Sequence, residues 1–279
     1  MATSVFATSG ASSRSVLRIV ALVVVIANIC YPPLHHGLSG MPTEAEISPK
    51  YPTLFTPAGY AFAIWGVIYA AFTAYAVYAL LPSQRDNAAH DRIAPVFIAY
   101  NLLGITWITV FRAEWLVASV VVIVAMLAAG IVMYLRASQA IERGELAGGW
   151  RAPFSLYLGW ISVATIANTA VVLVANGWRG GRWDETSWTL VMIGVAVMLG
   201  LIIGHRRRDF VYPAVIAWAS LAIYVARRGD HADVAAAAWL AGIVLLGWCG
   251  LLAVEKLLPS KLTNRETSLQ RRTPGALPS

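Results

Sequence analysis

Charge is scarce in this chain. Asp, Glu, Lys and Arg make up 13% of its 279 residues, about half the share of an average soluble domain. The charges that exist are gathered into short islands between long apolar runs. Apart from Arg18 at the head of the first run, those runs contain no Asp, Glu, Lys, Arg or His. Ionisable groups inside a bilayer are costly and mark proton relays, voltage sensors and ion paths. Their scarcity argues against a proton pump or a carboxylate-coupled ion transporter. Metal redox chemistry within the membrane is disfavoured by the same lack of ligands. His35 and His36 are adjacent and cannot share a helix face, so no metal site is expected there. Cysteine is scarce too. Cys30 and Cys249 fall at different expected depths, which disfavours a disulfide and leaves two small packing residues. No internal repeat is evident.

Hydrophobicity is what the chain has in excess, with 58% hydrophobic residues and a mean hydropathy of +0.66. Crossing a bilayer takes roughly 20 apolar residues at about 1.5 Å each. The runs Val16–Tyr31, Ala58–Leu81, Ile93–Phe111, Trp115–Leu135, Pro153–Ala175, Thr186–Gly204, Phe210–Ala226 and Val234–Val254 meet or approach that length. The first and seventh are short, and seven spans is the alternative count. The expected fold is an all-α, integral membrane helical bundle of about eight transmembrane helices.

With eight spans the two termini share a side. Of the 21 Lys and Arg residues, 15 fall on that side, in islands at Arg14–Arg18, Arg85–Arg92, Arg136–Arg151, Arg206–Arg208 and Lys256–Arg272. Lys50, Arg112, Arg179, Arg182, Arg227 and Arg228 fall on the other. The positive-inside rule therefore places both termini in the cytoplasm. The formal net charge of +7 reads as an orientation signal and an attraction to anionic lipid. Nucleic-acid binding is not expected, because no soluble basic domain exists to carry it.

Arg14 and Arg18 ahead of an apolar run have the layout of a signal peptide, but no small-x-small cleavage site follows before Pro32-Pro33. A retained first span is the expectation. Residues 1–15 are expected to be a disordered tail, as is the cytoplasmic segment 259–279. Pro32–Pro57 is the one long loop, on the outer face, with six prolines together with Tyr51 and Phe55. It reads equally as a lid over a site or as a stiff connector too irregular for helix.

Eleven tryptophans stand in the chain. Trp178, Trp183 and Trp188 flank the sixth span as interfacial anchors, whereas Trp65, Trp107 and Trp160 lie well inside spans. Phe62, Trp65, Tyr69 and Phe72 share one face of the second helix. Tyr100, Gly104, Trp107 and Phe111 share a face of the third, and Tyr157, Trp160, Ala164 and Asn168 a face of the fifth. Such stripes are usually packing. Buried indole N–H and phenol groups need partners, however, and Asn168 avoids lipid by facing the bundle interior. An aromatic cleft with a few amides suits a planar hydrophobic ligand. Asn28 and Asn101 are candidates for the same interior. The patterns Val132-x-Tyr134-x-Arg136 and Leu221-x-x-Tyr224-x-x-Arg227 match a proposed cholesterol-contact motif, but two hits in one chain show how cheap that motif is. Gly200-x-x-x-Gly204 and Gly59-x-x-x-Ala63 permit close helix approach, either within the chain or across a dimer seam.

The stretch from Tyr51 to Tyr69, YPTLFTPAGYAFAIWGVIY, resembles the signature of the TspO/MBR family, the tryptophan-rich sensory proteins related to the translocator protein or peripheral benzodiazepine receptor. A Pro-containing first loop runs into a helix with F-x-x-W-x-x-x-Y spacing, here Phe62, Trp65 and Tyr69. The fifth-helix pattern Y-x-x-W-x-x-x-A-x-x-x-N is met by Tyr157, Trp160, Ala164 and Asn168, and the third-helix Trp by Trp107. The resemblance covers Val16–Asn176. The chain departs from the family at Tyr100 and Gly104, where Gln and Asn are common, and in having three further spans.

The resemblance implies a five-helix domain over 16–180, followed by three additional transmembrane helices over 181–258. It further implies a sensory or translocator-like protein that binds a planar hydrophobic ligand, porphyrin or sterol-like. Phe62, Trp65, Tyr69, Tyr100, Trp107, Tyr157, Trp160 and Asn168 would form the site, with Tyr51, Phe55 and Pro57 in its lid. A multi-pass small-molecule transporter is the alternative. No catalytic residues and no required cofactor are expected; a porphyrin would be a ligand, and any breakdown chemistry would come from it. Expected partners are membrane lipid, the planar ligand and a second copy in a homodimer. The expected location is a bacterial inner membrane.

Overall fold

The computed structural model describes residues 5–47, 50–178 and 180–257. Among them the regular structure is helical. Eight long helices run through the chain: α1 (Val5–Ser39), α2 (Ile64–Tyr78), α3 (Ala88–Arg112), α4 (Leu116–Glu142), α5 (Ala152–Ala175), α6 (Glu185–Arg207), α7 (Val211–Arg227) and α8 (Ala232–Leu257). Among the described residues seven segments are long and apolar enough to cross a membrane, and the 17-residue Val211–Arg227 is a shorter apolar helix. A helix pairs its own backbone groups, which is what a chain in hydrocarbon must do. The protein is an integral membrane helical bundle.

The first five helices close into a ring. α1 packs on α2 and α3, α3 on α4, α4 on α5, and α5 back on α2. The remaining helices join the ring through α7, which packs on α5, α6 and α8. Gly159 makes that junction close: a Cβ there would lie 2.8 Å from Val215 Cβ and 3.1 Å from the Tyr212 carbonyl oxygen. Asp209, nearly buried, ties the same junction. Its carboxylate accepts from Tyr134 Oη of α4 at 2.9 Å and Ser155 Oγ of α5 at 2.5 Å. It also accepts from the Val211 backbone N–H at 2.9 Å, at the start of α7. Tyr134 of the cholesterol-type pattern is thus engaged inside the protein.

Gly200 and Gly204 face α8, where Leu245 and Trp248 pack against them, so this small-residue pair serves intramolecular packing. Cys30 and Cys249 are both free.

Several segments differ from the sequence expectations. α1 begins at Val5 and continues to Ser39, through Pro32 and Pro33, so the front of the long loop is helical rather than irregular. Contacts to α3 hold the extension: Tyr31 Oη lies 2.7 Å from Thr109 Oγ1, and Arg112 Nη1 donates to the Pro32 carbonyl at 2.8 Å. A one-turn helix, Glu44–Ile47, follows. Proline also sits inside α3, at Pro95. Of the expected tails, residues 1–4 and 259–279 lie outside the described residues.

Arg18 is the other departure. It is 4% exposed, not a solvated flank. Its guanidinium pairs with Asp91 at 2.8 Å and donates to the carbonyls of Ala79, Gln84 and Asn87. Four partners compensate the burial of this cation, which pins the α2–α3 turn onto α1.

Candidate functional site: an aromatic cavity under the first loop

Phe62, Trp65 and Tyr69 stand on α2, Tyr100 and Trp107 on α3, Tyr157, Trp160 and Asn168 on α5. Because α2 touches both α1 and α5, their aromatic faces converge on the inside of the ring at the end covered by the long loop. Two adjoining voids lie there. The larger, about 240 Å³, is lined by Phe62, Trp65, Tyr69, Tyr100 and Trp107, with Pro32, Thr43 and Glu44 from the loop side. The smaller, about 50 Å³, is lined by Phe62, Trp107, Trp160 and Asn168 with Pro57 and Glu44. Phe62, Trp107 and Glu44 border both.

The rings are arranged edge to face around this space. Trp160 meets Phe62 at 5.8 Å and 84°, and Trp65 at 6.3 Å and 86°. Trp65 stacks on Tyr69, and Trp107 on Phe111. Below the voids the interior is solid: Phe72 packs on Phe97, Tyr100 and Tyr157. Tyr157 is fully buried, donates to the Met126 carbonyl at 3.1 Å and forms floor rather than lining.

The polar groups divide into those already engaged and two without a partner among the described residues, Tyr100 Oη at the larger void and Trp160 Nε1 at the smaller. Trp107 Nε1–H donates to Asn168 Oδ1 at 3.0 Å, and Asn168 Nδ2 donates to Ser119 Oγ at 2.9 Å. Ser119 in turn donates to the Leu116 carbonyl at 2.6 Å. Asn168 therefore ties α3, α4 and α5 together while bordering the smaller void. Trp160 Nε1 has no partner although the residue is 1% exposed. An orphaned buried donor costs on the order of 1–3 kcal/mol, and this one borders the smaller void. Asn28 and Asn101 join each other across α1 and α3 at 3.1 Å, with the Asn28 amide against Gly104.

The loop is fastened rather than loose, from several directions. Arg112, at the end of α3, pairs with Glu44 at 2.9 Å, its own side chain 3% and that of Glu44 23% exposed. Lys50 and Tyr51 both donate to Glu114 at 2.6 Å. Those two hydrogen bonds hold the Glu114 carboxyl below the usual carboxylate range, and the bond to Glu114 raises the Tyr51 phenol. Glu185 of α6 accepts from the Leu54 backbone N–H at 3.0 Å, Arg227 of α7 donates to the Thr53 carbonyl at 3.2 Å, and the Ala58 N–H reaches the Ala222 carbonyl at 3.1 Å. The helices beyond the ring thus help to hold the cover of the cavity.

The expected lid residues part company. Pro57 borders the smaller void. Tyr51 serves the Glu114 clasp. Phe55 turns to a separate crevice of about 330 Å³ between α5 and α6, lined also by Thr165, Thr169, Trp178, Glu185 and Trp188. Glu44 is the residue that sequence reasoning missed. It carries the carboxylate bordering both voids, and nothing in its local pattern marks it, because its partner Arg112 lies 68 positions away.

A family model described as TSPO-like protein matches residues 15–251, and the chain belongs to that family. The match continues past Asn176, where the sequence resemblance stopped, through α6 and α7 into α8. No curated protein and no solved structure matches the chain significantly.

Proposed function

We propose that this member of the TSPO-like family is a sensory or translocator-like membrane protein that binds a planar hydrophobic ligand, porphyrin or sterol-like, in the cavity between α2, α3 and α5. The observation that carries the reading is the Trp160 indole: nearly buried, bordering the void, and without an acceptor for its N–H. A ligand acceptor at that point would satisfy it, while Phe62, Trp65 and Trp107 supply the faces and edges that a flat ring system packs against. The two voids, about 240 and 50 Å³, together fall just below the roughly 300–1,000 Å³ typical of ligand sites. A full tetrapyrrole is larger, so admitting one requires the Glu44–Pro57 loop to lift.

Binding rather than catalysis is the role proposed, with any chemistry supplied by the ligand. The charge asymmetry supports cytoplasmic termini in a bacterial inner membrane. Membrane lipid, and a second copy in a homodimer, are the proposed partners.

The test is a titration of protoporphyrin into the purified protein, read by tryptophan quenching, against Trp160→Phe. The variant keeps a ring but lacks the N–H and is expected to bind roughly tenfold more weakly. Unchanged affinity in Trp160→Phe and in Trp65→Phe/Trp160→Phe would overturn the site.

A further inference from the structure

The opposite end of the ring carries a second concavity of different chemistry. Its volume is about 380 Å³, and it is lined by Asp91, Arg92 and Pro95 of α3 and by Arg136, Gln139 and Arg143 of α4. Arg92, in the second turn of α3, and Trp107, which borders both aromatic voids, are ~22 Å apart along the 1.5 Å rise of that helix.

The charges do not cancel. Asp91 is engaged by Arg18, Glu145 by Arg92, and Glu142 by Arg207. Arg136 spends one Nη donor on the Arg92 carbonyl, and the Arg143 side chain makes no ion pair or hydrogen bond among the described residues. Arg136 and Arg143 are therefore left as uncompensated guanidinium groups, about two turns apart with exposed Gln139 between them.

The surface leading away from the pocket is apolar. On α3, exposed Pro95, Ala99 and Leu102 follow one face; on α4, Ala128 and Val132 lie on the face that ends at Arg136. α3 and α4 pack side by side, so a hydrocarbon-facing seam runs up to a basic pocket. Guanidinium forks match phosphate oxygens, and a basic pocket between transmembrane helices at the membrane surface suits an anionic head group.

We propose that the Arg92–Arg136–Arg143 pocket binds the phosphate of an anionic phospholipid, whose acyl chains lie along the α3–α4 seam. This site is independent of the aromatic cavity and stands or falls without it. Its ligand is recognised by phosphate at the head and by hydrocarbon below, and both are required.

Native mass spectrometry of the full chain released from mixed phosphatidylglycerol and phosphatidylcholine tests this, with thermal melting in the same lipids alongside. The wild type is expected to retain phosphatidylglycerol preferentially and to melt higher in it. Arg136→Gln/Arg143→Gln is expected to weaken that retention roughly tenfold. Arg85→Gln/Arg206→Gln, which removes two exposed charges outside the pocket, is expected to leave it unchanged. Equal loss in both double variants would assign the preference to diffuse charge and overturn the site. Inorganic phosphate reproducing the whole melting shift without lipid would assign it to a soluble anion and overturn the lipid. A pocket variant that melts lower but keeps its phosphatidylglycerol also overturns the proposal, since retention is read separately from stability.

Discussion

Arg112 and Glu44 form an ion pair, 2.9 Å between Nε and Oε1, that joins the end of α3 to the one helical turn in the first loop. The pair sits beside the aromatic cavity, with the carboxylate bordering both voids and the guanidinium behind it. It also holds the C-terminal part of α1 through the Pro32 carbonyl. Cover, wall and helix end are thereby linked through one guanidinium.

Removing one member of that pair leaves the other without its counter-charge. Glu44→Ala is expected to lower stability by on the order of 3 kcal/mol, read as a lower melting temperature in detergent. Glu44→Gln/Arg112→Gln is expected to recover part of the loss, because no unpaired charge remains. Additive losses in the double variant would contradict a coupled pair.

Asn168 is expected to act through structure rather than by touching ligand. Asn168→Leu removes the link between Trp107 and Ser119 and is expected to cost about 1–2 kcal/mol. Trp107 emission is expected to shift as its N–H loses the amide. A variant as stable as wild type, with unchanged emission, would contradict the hydrogen-bond chain.

The α5–α7 junction tolerates no side chain at Gly159. A Cβ there would meet Val215 and the Tyr212 backbone, so Gly159→Leu is expected to destabilise by roughly 2–3 kcal/mol. Proteolysis of the α5–α6 connection is expected to accelerate as α7 is pushed off the ring. Unaltered melting and proteolysis would show the junction to be looser than this geometry.

The Lys50–Tyr51–Glu114 clasp is expected to fail in acid. The folded pKa of Glu114 is depressed, so its contribution is full above the ordinary carboxylate range and is lost as pH falls through the lower folded value. Hydrogen exchange of the backbone around Tyr51–Phe55 is expected to rise there in wild type. Glu114→Gln, which cannot titrate, is expected to show faster exchange already at neutral pH and no further acid step from this clasp.

The sequence made the helices legible because hydrocarbon enforces long apolar runs, and it made Phe62, Trp65, Trp107 and Trp160 legible because helical spacing puts them on inward faces. Two kinds of feature stayed hidden. Pro32 and Pro33 read locally as a break, yet α1 passes through them because Thr109 and Arg112, far along the chain, hold its end. The pattern puts Asn168 on the inward face, where it borders the smaller void, but cannot reveal that Trp107 and Ser119 are its partners. Glu44 and Arg18 were hidden for the same reason: their surroundings are built by residues distant in sequence.

The central claim is that the ligand sits between α2, α3 and α5. Photo-crosslinking with a diazirine-bearing protoporphyrin, followed by peptide mapping, tests it most directly. The account predicts adducts on Phe62, Trp65, Trp107 or Trp160, suppressed by excess unmodified protoporphyrin. Competable adducts confined to the α5–α6 crevice, at Thr165, Thr169, Trp178 or Trp188, would contradict it.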